Sequence, residues 1–273
     1  MFRGFYTATS GMIAQQRRQD MLTNNLSNVN TPGFKADRSA LRSFSNMLLS
    51  RMGETNVGNR EIPTNKRVGS LATGVYMQEA LPNFRQGDLR ETGNSLDIAL
   101  LQGTVPVNEE TGAAGALFFT VENEAGDLRL TRNGNFTVDA NGSLVTSNGD
   151  FVLDSAGNRI TIESNNFTLD PNGVIAGSGT QIGISLIENP NDLEKEGNGL
   201  FSLENQEDII AANGNENVSY QLKQGFVERS NVNVEQTMVQ MTSAYRTFEA
   251  NQKVVQAYDR TMEKAANEVG RLR

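Results

Sequence analysis

The chain has 273 residues, a formal net charge of −8, and no Cys, His or Trp. That length holds one large domain or two smaller ones, with ample room for a core. The missing residue types exclude Cys-ligated zinc, iron–sulfur clusters, haem held by His, disulfides, and Cys- or Ser–His–Asp-type nucleophiles. An enzyme built on this sequence would have to use carboxylates, Lys, Tyr or a hard metal ion.

The charge is segregated. Residues 1–70 carry 10 Lys+Arg against 4 Asp+Glu, residues 71–224 carry 7 against 22, and residues 225–273 carry 7 against 6. The acidic middle argues against nucleic acid there, because phosphates demand the opposite sign. It reads as a solvated surface between two less acidic ends. The opening Met1-Phe2-Arg3-Gly4-Phe5-Tyr6-Thr7 lacks the continuous apolar stretch of a secretory signal. No apolar run approaches the roughly 20 residues that span a bilayer as a helix. The expectation is a soluble chain, or one exported without a cleaved signal.

Residues 2–29 contain no Pro and place Phe2, Phe5, Met12, Ile13, Leu22, Leu26 and Val29 in an imperfect helical stripe. Asn30-Thr31-Pro32-Gly33 ends it, since the residue before a proline leaves the helical region. Leu41, Phe44, Leu48 and Met52 mark a second amphipathic stretch. Gly58, Pro63 and Gly69 then break any period across an extended arm or linker over Gly53–Gly74.

Short β-forming runs follow at Leu117–Val121, Leu128–Leu130, Phe136–Val138 and Arg159–Ile162. Turn signals separate them at Asn133-Gly134, Asn141-Gly142, Asn148-Gly149, Gly157-Asn158 and Asn172-Gly173. Asn-Gly supplies the positive φ that tight hairpins require, so the middle predicts an antiparallel β-meander or barrel-like domain. Strand–helix–strand alternation is missing, which argues against a doubly wound parallel sheet.

The C-terminal segment carries a coiled-coil seam. Val234, Met238, Met241, Tyr245 and Phe248 step by 4, 3, 4 and 3; after one slip, Val255, Tyr258, Met262, Ala265, Val269 and Leu272 resume. A helix over 231–269 would be about 58 Å long, whereas a domain of about 150 residues is only about 38 Å across. The seam therefore needs another long helix. Phe5 and Met12 on the N-terminal stripe make that helix the intramolecular candidate. The N-terminal stripe is shorter and more polar, so neighbouring copies are expected to cover the remainder. The predicted division is a discontinuous helical domain from 1–35 and 225–273, an arm over 36–74, and a β-rich domain over 75–224.

Motifs with catalytic or binding chemistry are weak. Asp139-Ala140-Asn141-Gly142 and Asp170-Pro171-Asn172-Gly173 open like calcium loops but lack the downstream oxygen ligands and closing Glu, so they read as turns. Gly177-Ser178-Gly179 lacks the Lys and hydroxyl that complete a phosphate loop. Glu109-Glu110 reads as a surface pair, and Arg17-Arg18 as a solvated or inter-subunit helix face. No catalytic residue, cofactor, metal, nucleic acid or small-molecule substrate is expected.

Asn24-Asn25-Leu26-Ser27-Asn28-Val29-Asn30-Thr31-Pro32-Gly33-Phe34-Lys35, preceded by Ser10-Gly11-Met12 and Gln15-Gln16, resembles the N-terminal signature of the bacterial flagellar rod and hook family. Ser230-Asn231-Val232, Glu235, Met238 and Ala244–Asn251 resemble its C-terminal helix. Thr92–Ala99, Thr131–Phe136 and Asp139–Thr146 resemble its β domain. The resemblance implies a structural subunit that leaves the cell through the flagellar type III export apparatus and polymerises with itself and other rod and hook proteins. Its terminal helices would line a tube and its β domain would form the outer layer. The length resembles distal rod proteins. Asn24, Asn25, Leu26, Asn28, Thr31, Pro32, Gly33 and Phe34 would then form a subunit-interface motif, with Asn25, Asn28 and Thr31 organising the turn and Phe34 anchoring it against a neighbour. Two rivals are an extracellular β-domain binding module on a coiled-coil stalk and a carboxylate-dependent hydrolase. The absence of Trp and a total of 5 Tyr weaken sugar recognition by the latter.

Overall fold

The computed structural model describes residues 2–44, 47–57, 60–108, 112–162, 167–205 and 209–269. Glu109-Glu110, Gly58 and Leu272 lie outside the described residues. The chain forms two units, one from residues 1–25, 37–81 and 234–273 and the other from 26–36 and 82–233.

The first unit holds both long helices, α1 (Phe2–Ser27, whose last two residues fall in the second unit) and α2 (Val234–Lys264). A π-helical turn, Ala265–Val269, follows α2. No helix among the described residues is long and apolar enough to cross a membrane. Between the helices in sequence lie β1 (Asp37–Arg38), β2 (Leu41–Ser43), β3 (Met47–Val57), β4 (Arg60–Leu71) and β5 (Val75–Met77). The second amphipathic stretch and the extended arm that follows it are largely strand. β2 pairs antiparallel with β5, and β3 with β4 over eleven residue pairs from Met47↔Leu71 to Val57↔Arg60. A register shift between Leu49 and Ser50 absorbs the mismatch in length. Both strands of this two-stranded ribbon are edges, where the missing N–H of Pro63 is tolerated. The units divide at 25/26, 36/37, 81/82 and 233/234.

β6 (Leu81–Pro82) crosses into the second unit, which continues through β7 (Leu89–Glu91), β8 (Ile98–Gln102), β9 (Ala116–Glu122), β10 (Leu128–Thr131), β11 (Phe136–Val138), β12 (Leu144–Thr146), β13 (Phe151–Val152), β14 (Ile184–Ile187), β15 (Glu194–Lys195), β16 (Leu200–Ser202), β17 (Ile210–Ala211), β18 (Tyr220–Gln224) and β19 (Phe226–Glu228). Among the described residues all its ladders are antiparallel. The main sheet runs β11-β12-β13-β9-β10-β16-β15. One edge of β9 carries β10, and its other edge is shared by β13 and β14. β8 pairs with β18, and β7 with β19.

β9 is the centre of the unit because it is buried on both faces. Leu117, Phe119 and Val121 point into a core with Ile98, Leu100, Phe136, Leu144 and Val152. Ala116 and Phe118 point the other way, toward Leu130, Ile187, Leu193 and Phe201. A strand covered on both sides reads as a continuous apolar run rather than an alternation. Edge-on ring contacts lock each face, Phe119 against Phe136 at 5.2 Å and Phe118 against Phe84 at 5.4 Å.

Most predicted turns are present. Gly142, Gly149 and Gly173 adopt φ of 82°, 97° and 86°, and each Asn-Gly closes a tight turn through a bond such as Gly142 N–H to Asp139 O at 2.9 Å. Asn133-Gly134 is different. Gly134 has no positive φ; it accepts the Ile98 N–H at 2.9 Å, and a Cβ there would collide with the Ile98 carbonyl oxygen. The glycine answers a close backbone approach, not a hairpin. Arg159–Ile162 also forms isolated bridges with Leu153 and Ser143 instead of a strand.

Two alanine substitutions separate these uses of glycine. Gly149→Ala meets no atom within 4 Å and pays only its positive φ, about 1–2 kcal/mol. Gly134→Ala must displace backbone, and thermal unfolding should show a larger loss than Gly149→Ala by at least about 2 kcal/mol.

Candidate assembly site

The 26–36 segment is built by local polar contacts. Val29 N–H donates to Leu26 O and Thr31 N–H to Asn28 O, while the Thr31 hydroxyl donates to Asn28 Oδ1 at 3.2 Å. Gly33 takes φ 69°, and a Cβ there would lie 2.5 Å from the Arg132 carbonyl group. Its N–H donates to Glu228 O at 2.8 Å. In the first unit, Asn25 is buried and copies a β-pairing with its side chain. Its Nδ2 donates to Asp37 O and its Oδ1 accepts Asp37 N–H, both at 2.9 Å. Asn24 is exposed, and Leu26 and Pro32 are half-buried. Phe34 is buried in its own chain, with the Lys195 ammonium 4.1 Å from its ring centroid.

Next to Phe34 stands a group of buried charges. Lys35 and Glu228 are each 1% exposed. Lys35 Nζ donates to Glu228 Oε1 at 2.7 Å and to Arg85 O at 3.0 Å. Arg132 donates to Glu228 Oε2 through Nε at 3.1 Å, pairs with it through Nη2 at 3.0 Å, and reaches Leu117 O through Nη1 at 2.7 Å. Gly87 N–H completes the carboxylate at 2.8 Å. Asn231 adds three bonds, accepting Ala36 N–H and donating to Asn83 O and Arg85 O. One carboxylate thus holds two cations, and carbonyl oxygens take up remaining donors. Burial, and secondarily the charge of Arg132, lowers the Lys35 pKa to about 8 against the opposing pull of Glu228. Lys35 and Asn231 lie inside the terminal motifs, but periodicity gives them no role. A charged Glu in the apolar run Phe226-Val227-Glu228 was the available signal.

The helices of the first unit carry two faces each. On α1 the buried side is Ala8, Gly11, Ala14, Gln15, Leu22 and Asn25, with Phe5 and Met12 half-buried at its margin. A Cβ on Gly11 would stand 2.9 Å from Asn251 Nδ2, and one on Gly4 would clash with the Tyr258 hydroxyl. On α2 the covered positions are Val234, Thr237, Gln240, Met241, Ala244, Phe248, Glu249, Asn251, Val255, Tyr258 and Met262. Apart from Gln240 and Glu249, which sit beside Met241 and Phe248 at the margin, these step 3, 4, 3, 4, so the slip inferred from apolar residues alone is not in this seam. Thr237, Ala244 and Asn251 occupy it, and Met238 and Tyr245 stand outside it at 51% and 55% exposure.

The Asp139 and Asp170 segments are turns held by their own side chains, such as Asn141 Nδ2 to Asp139 Oδ2 at 3.1 Å. Among the described residues, no three acidic side chains gather at a metal-binding distance.

The flagellar hook-basal body complex protein FlhO of Bacillus subtilis is 44% identical over the full length of both chains. The flagellar basal-body rod protein FlgG of Borreliella burgdorferi is 31% identical over 98% of each, and FlhP of Bacillus subtilis is 29% identical over 96% of this chain and 97% of that one. This chain belongs to the flagellar rod and hook protein family. Three family models match it: a flagella basal body rod protein over residues 5–35, the D1 domain of flagellar hook protein FlgE/F/G over 113–177, and the C-terminal part of flagellar basal body rod FlgEFG protein over 223–268. Its members are structural proteins, not enzymes. Lys35, Arg132 and Glu228 fall one in each matched stretch.

The buried charges predict an asymmetry. Glu228→Gln strands two cations and should cost about 3–5 kcal/mol in denaturant unfolding. Lys35→Met leaves Glu228 paired with Arg132 and should cost clearly less. Because the folded Lys35 pKa lies below its unfolded value of 10.5, the unfolded chain holds the extra proton between about pH 8 and 10.5. Parent stability should therefore rise relative to Lys35→Met across that window, by at most about 1.4 kcal/mol per pH unit, and stay level below it.

Proposed function

We propose that this chain is a structural subunit of the flagellar basal-body rod that polymerises through α1 and α2 into a helical tube passing torque from motor to hook. The observation that carries this reading is the second face on each helix. Beyond the positions covered within the chain, α1 exposes Tyr6 and Ile13 and α2 exposes Met238, Val239 and Tyr245. Exposed apolar faces of this kind on a soluble chain mark surfaces meant to be covered.

The covered faces support an antiparallel coiled coil between α1 and α2. Gly4 and Gly11 are one heptad apart, as are Tyr258 and Asn251 that approach them, and the unbroken 3–4 alternation on α2 is the seam such a pair needs. Glycines at the contact let the backbones approach closely. The β unit would form the outer layer, and the long β3–β4 ribbon would reach along the rod, since a two-stranded ribbon is marginal without a neighbour. Partnership with other rod and hook proteins is in keeping with relatives named rod protein FlgG and hook-basal body complex protein FlhO; export without a cleaved signal and a distal position in the rod are further parts of the same proposal.

Sedimentation of the purified chain over a range of concentrations tests this. The expected outcome is a sedimentable polymer that grows with concentration, with hydrogen exchange slowed along α1 and α2 on assembly. A fixed small oligomer at every concentration would instead favour a β-domain binding module on a helical stalk.

A further inference from the structure

The outward faces of the two helices carry matched patterns, whose residues are exposed except for the half-buried Glu249. On α1, Arg3, Tyr6, Ile13 and Arg17 are separated by 3, 7 and 4 residues, and on α2 Glu235, Met238, Tyr245 and Glu249 are separated by the same 3, 7 and 4. One face is basic–apolar–apolar–basic and the other acidic–apolar–apolar–acidic. Tyr6 and Ile13 are 65% and 47% exposed. They border an open groove of about 490 Å³ whose other walls include Phe44, Met47 and Thr73, with Arg3 at its end. Phe44 is steadied by its ring contact with Tyr76 at 5.4 Å. Met238 and Tyr245 form a ridge one heptad long, about 10 Å, the span that separates Tyr6 from Ile13.

From these observations we infer that the α2 ridge of one copy seats in the α1 groove of the next, a contact between unlike faces of a second copy of this same chain. This rests on the polymer reading above and gives it a specific joint. Like faces are disfavoured: α1 against α1 opposes Arg3 and Arg17 to arginines, and α2 against α2 opposes Glu235 and Glu249 to glutamates. A contact between unlike faces does not close on itself and so repeats along an open polymer. Within one chain α1 and α2 run antiparallel, since Gly4 meets Tyr258 and Gly11 meets Asn251. Copies sharing one polarity keep that sense between neighbours. Tyr6 then faces Tyr245, Ile13 faces Met238, Arg3 lies by Glu249 and Arg17 by Glu235. Arg246, on the flank of the ridge, falls opposite Tyr6 and not an arginine.

The chain has no Cys, so introduced cysteines report this contact alone. Ile13→Cys and Met238→Cys combined in one full-length chain should give a ladder of disulfide-linked multimers on mild oxidation. Each single variant should stay monomeric on a non-reducing gel, and an equal mixture of the two should stop at dimers. An intrachain bond is excluded, because the helix register puts residue 13 level with about residue 249, about 16 Å from 238 along α2 and beyond disulfide reach. Dimers from a single variant alone would overturn the proposal in favour of like-face pairing. A sedimentable polymer without a ladder would overturn the joint and leave the rod reading standing; no polymer from the parent chain would end both. Independently of cysteine, Arg17→Glu or Glu235→Arg should raise the concentration needed for assembly about three- to tenfold, and the two together should restore it to within about twofold. Failure of that rescue would equally count against the joint.

Discussion

Glu228 has one carboxylate and two buried cations to satisfy, and much of the β unit is arranged so that it can. Its oxygens take Lys35, Arg132 and the Gly87 N–H, and its backbone carbonyl takes Gly33 N–H. A buried ion group is costly to form because each charge must leave water. Here nearly every polar atom finds a partner, which is the condition for such a network to be tolerated. Its effect is positional. It holds the 26–36 segment against β19 within the β unit.

That arrangement also explains why the N-terminal motif is dense in Asn, Thr, Pro and Gly. Thr31 and Asn28 bond each other, Gly33 takes a left-handed φ that brings it against Arg132, and Phe34 lies under Lys195. Each residue answers a contact inside the chain. The large apolar side chains left exposed lie elsewhere, on the helices, at Tyr6, Ile13, Met238 and Tyr245. Burial and exposure are divided between different residues, even though both sets lie in the terminal segments.

The helices show why a search for large apolar residues finds the wrong register. Within the chain, α2 is covered through Thr237, Ala244 and Asn251 as well as through Met241 and Phe248. Gly4 makes room for the Tyr258 ring and Gly11 for the Asn251 amide, so the seam is built on these glycines and not on a continuous row of large apolar pairs. The large residues Met238 and Tyr245 then fall outside the covered seam. Reading them as seam forces a slip that the backbone does not have. The slip was the trace of two overlapping stripes on one helix, each regular.

By itself the sequence determined the two terminal helices and the turn-punctuated antiparallel β region between them. The Pro-free periodic ends gave helices because periodicity near 3.6 buries one side of a helix, and Asn141-Gly142, Asn148-Gly149 and Asn172-Gly173 gave turns because few residues accept positive φ. Composition removed most catalytic chemistry, and the terminal motifs pointed to the family. What only the tertiary structure decided is where these pieces touch. The Leu41–Gly74 stretch pairs as strands because β3 and β4 find each other, an outcome that its helical periodicity does not contain. Gly134 is glycine because Ile98 comes close. Lys35, Arg132 and Glu228, separated by 97 and 96 residues, meet at one carboxylate. Periodicity and propensity act over a few residues, whereas these contacts depend on chain segments far apart in sequence, so only the folded chain selects them.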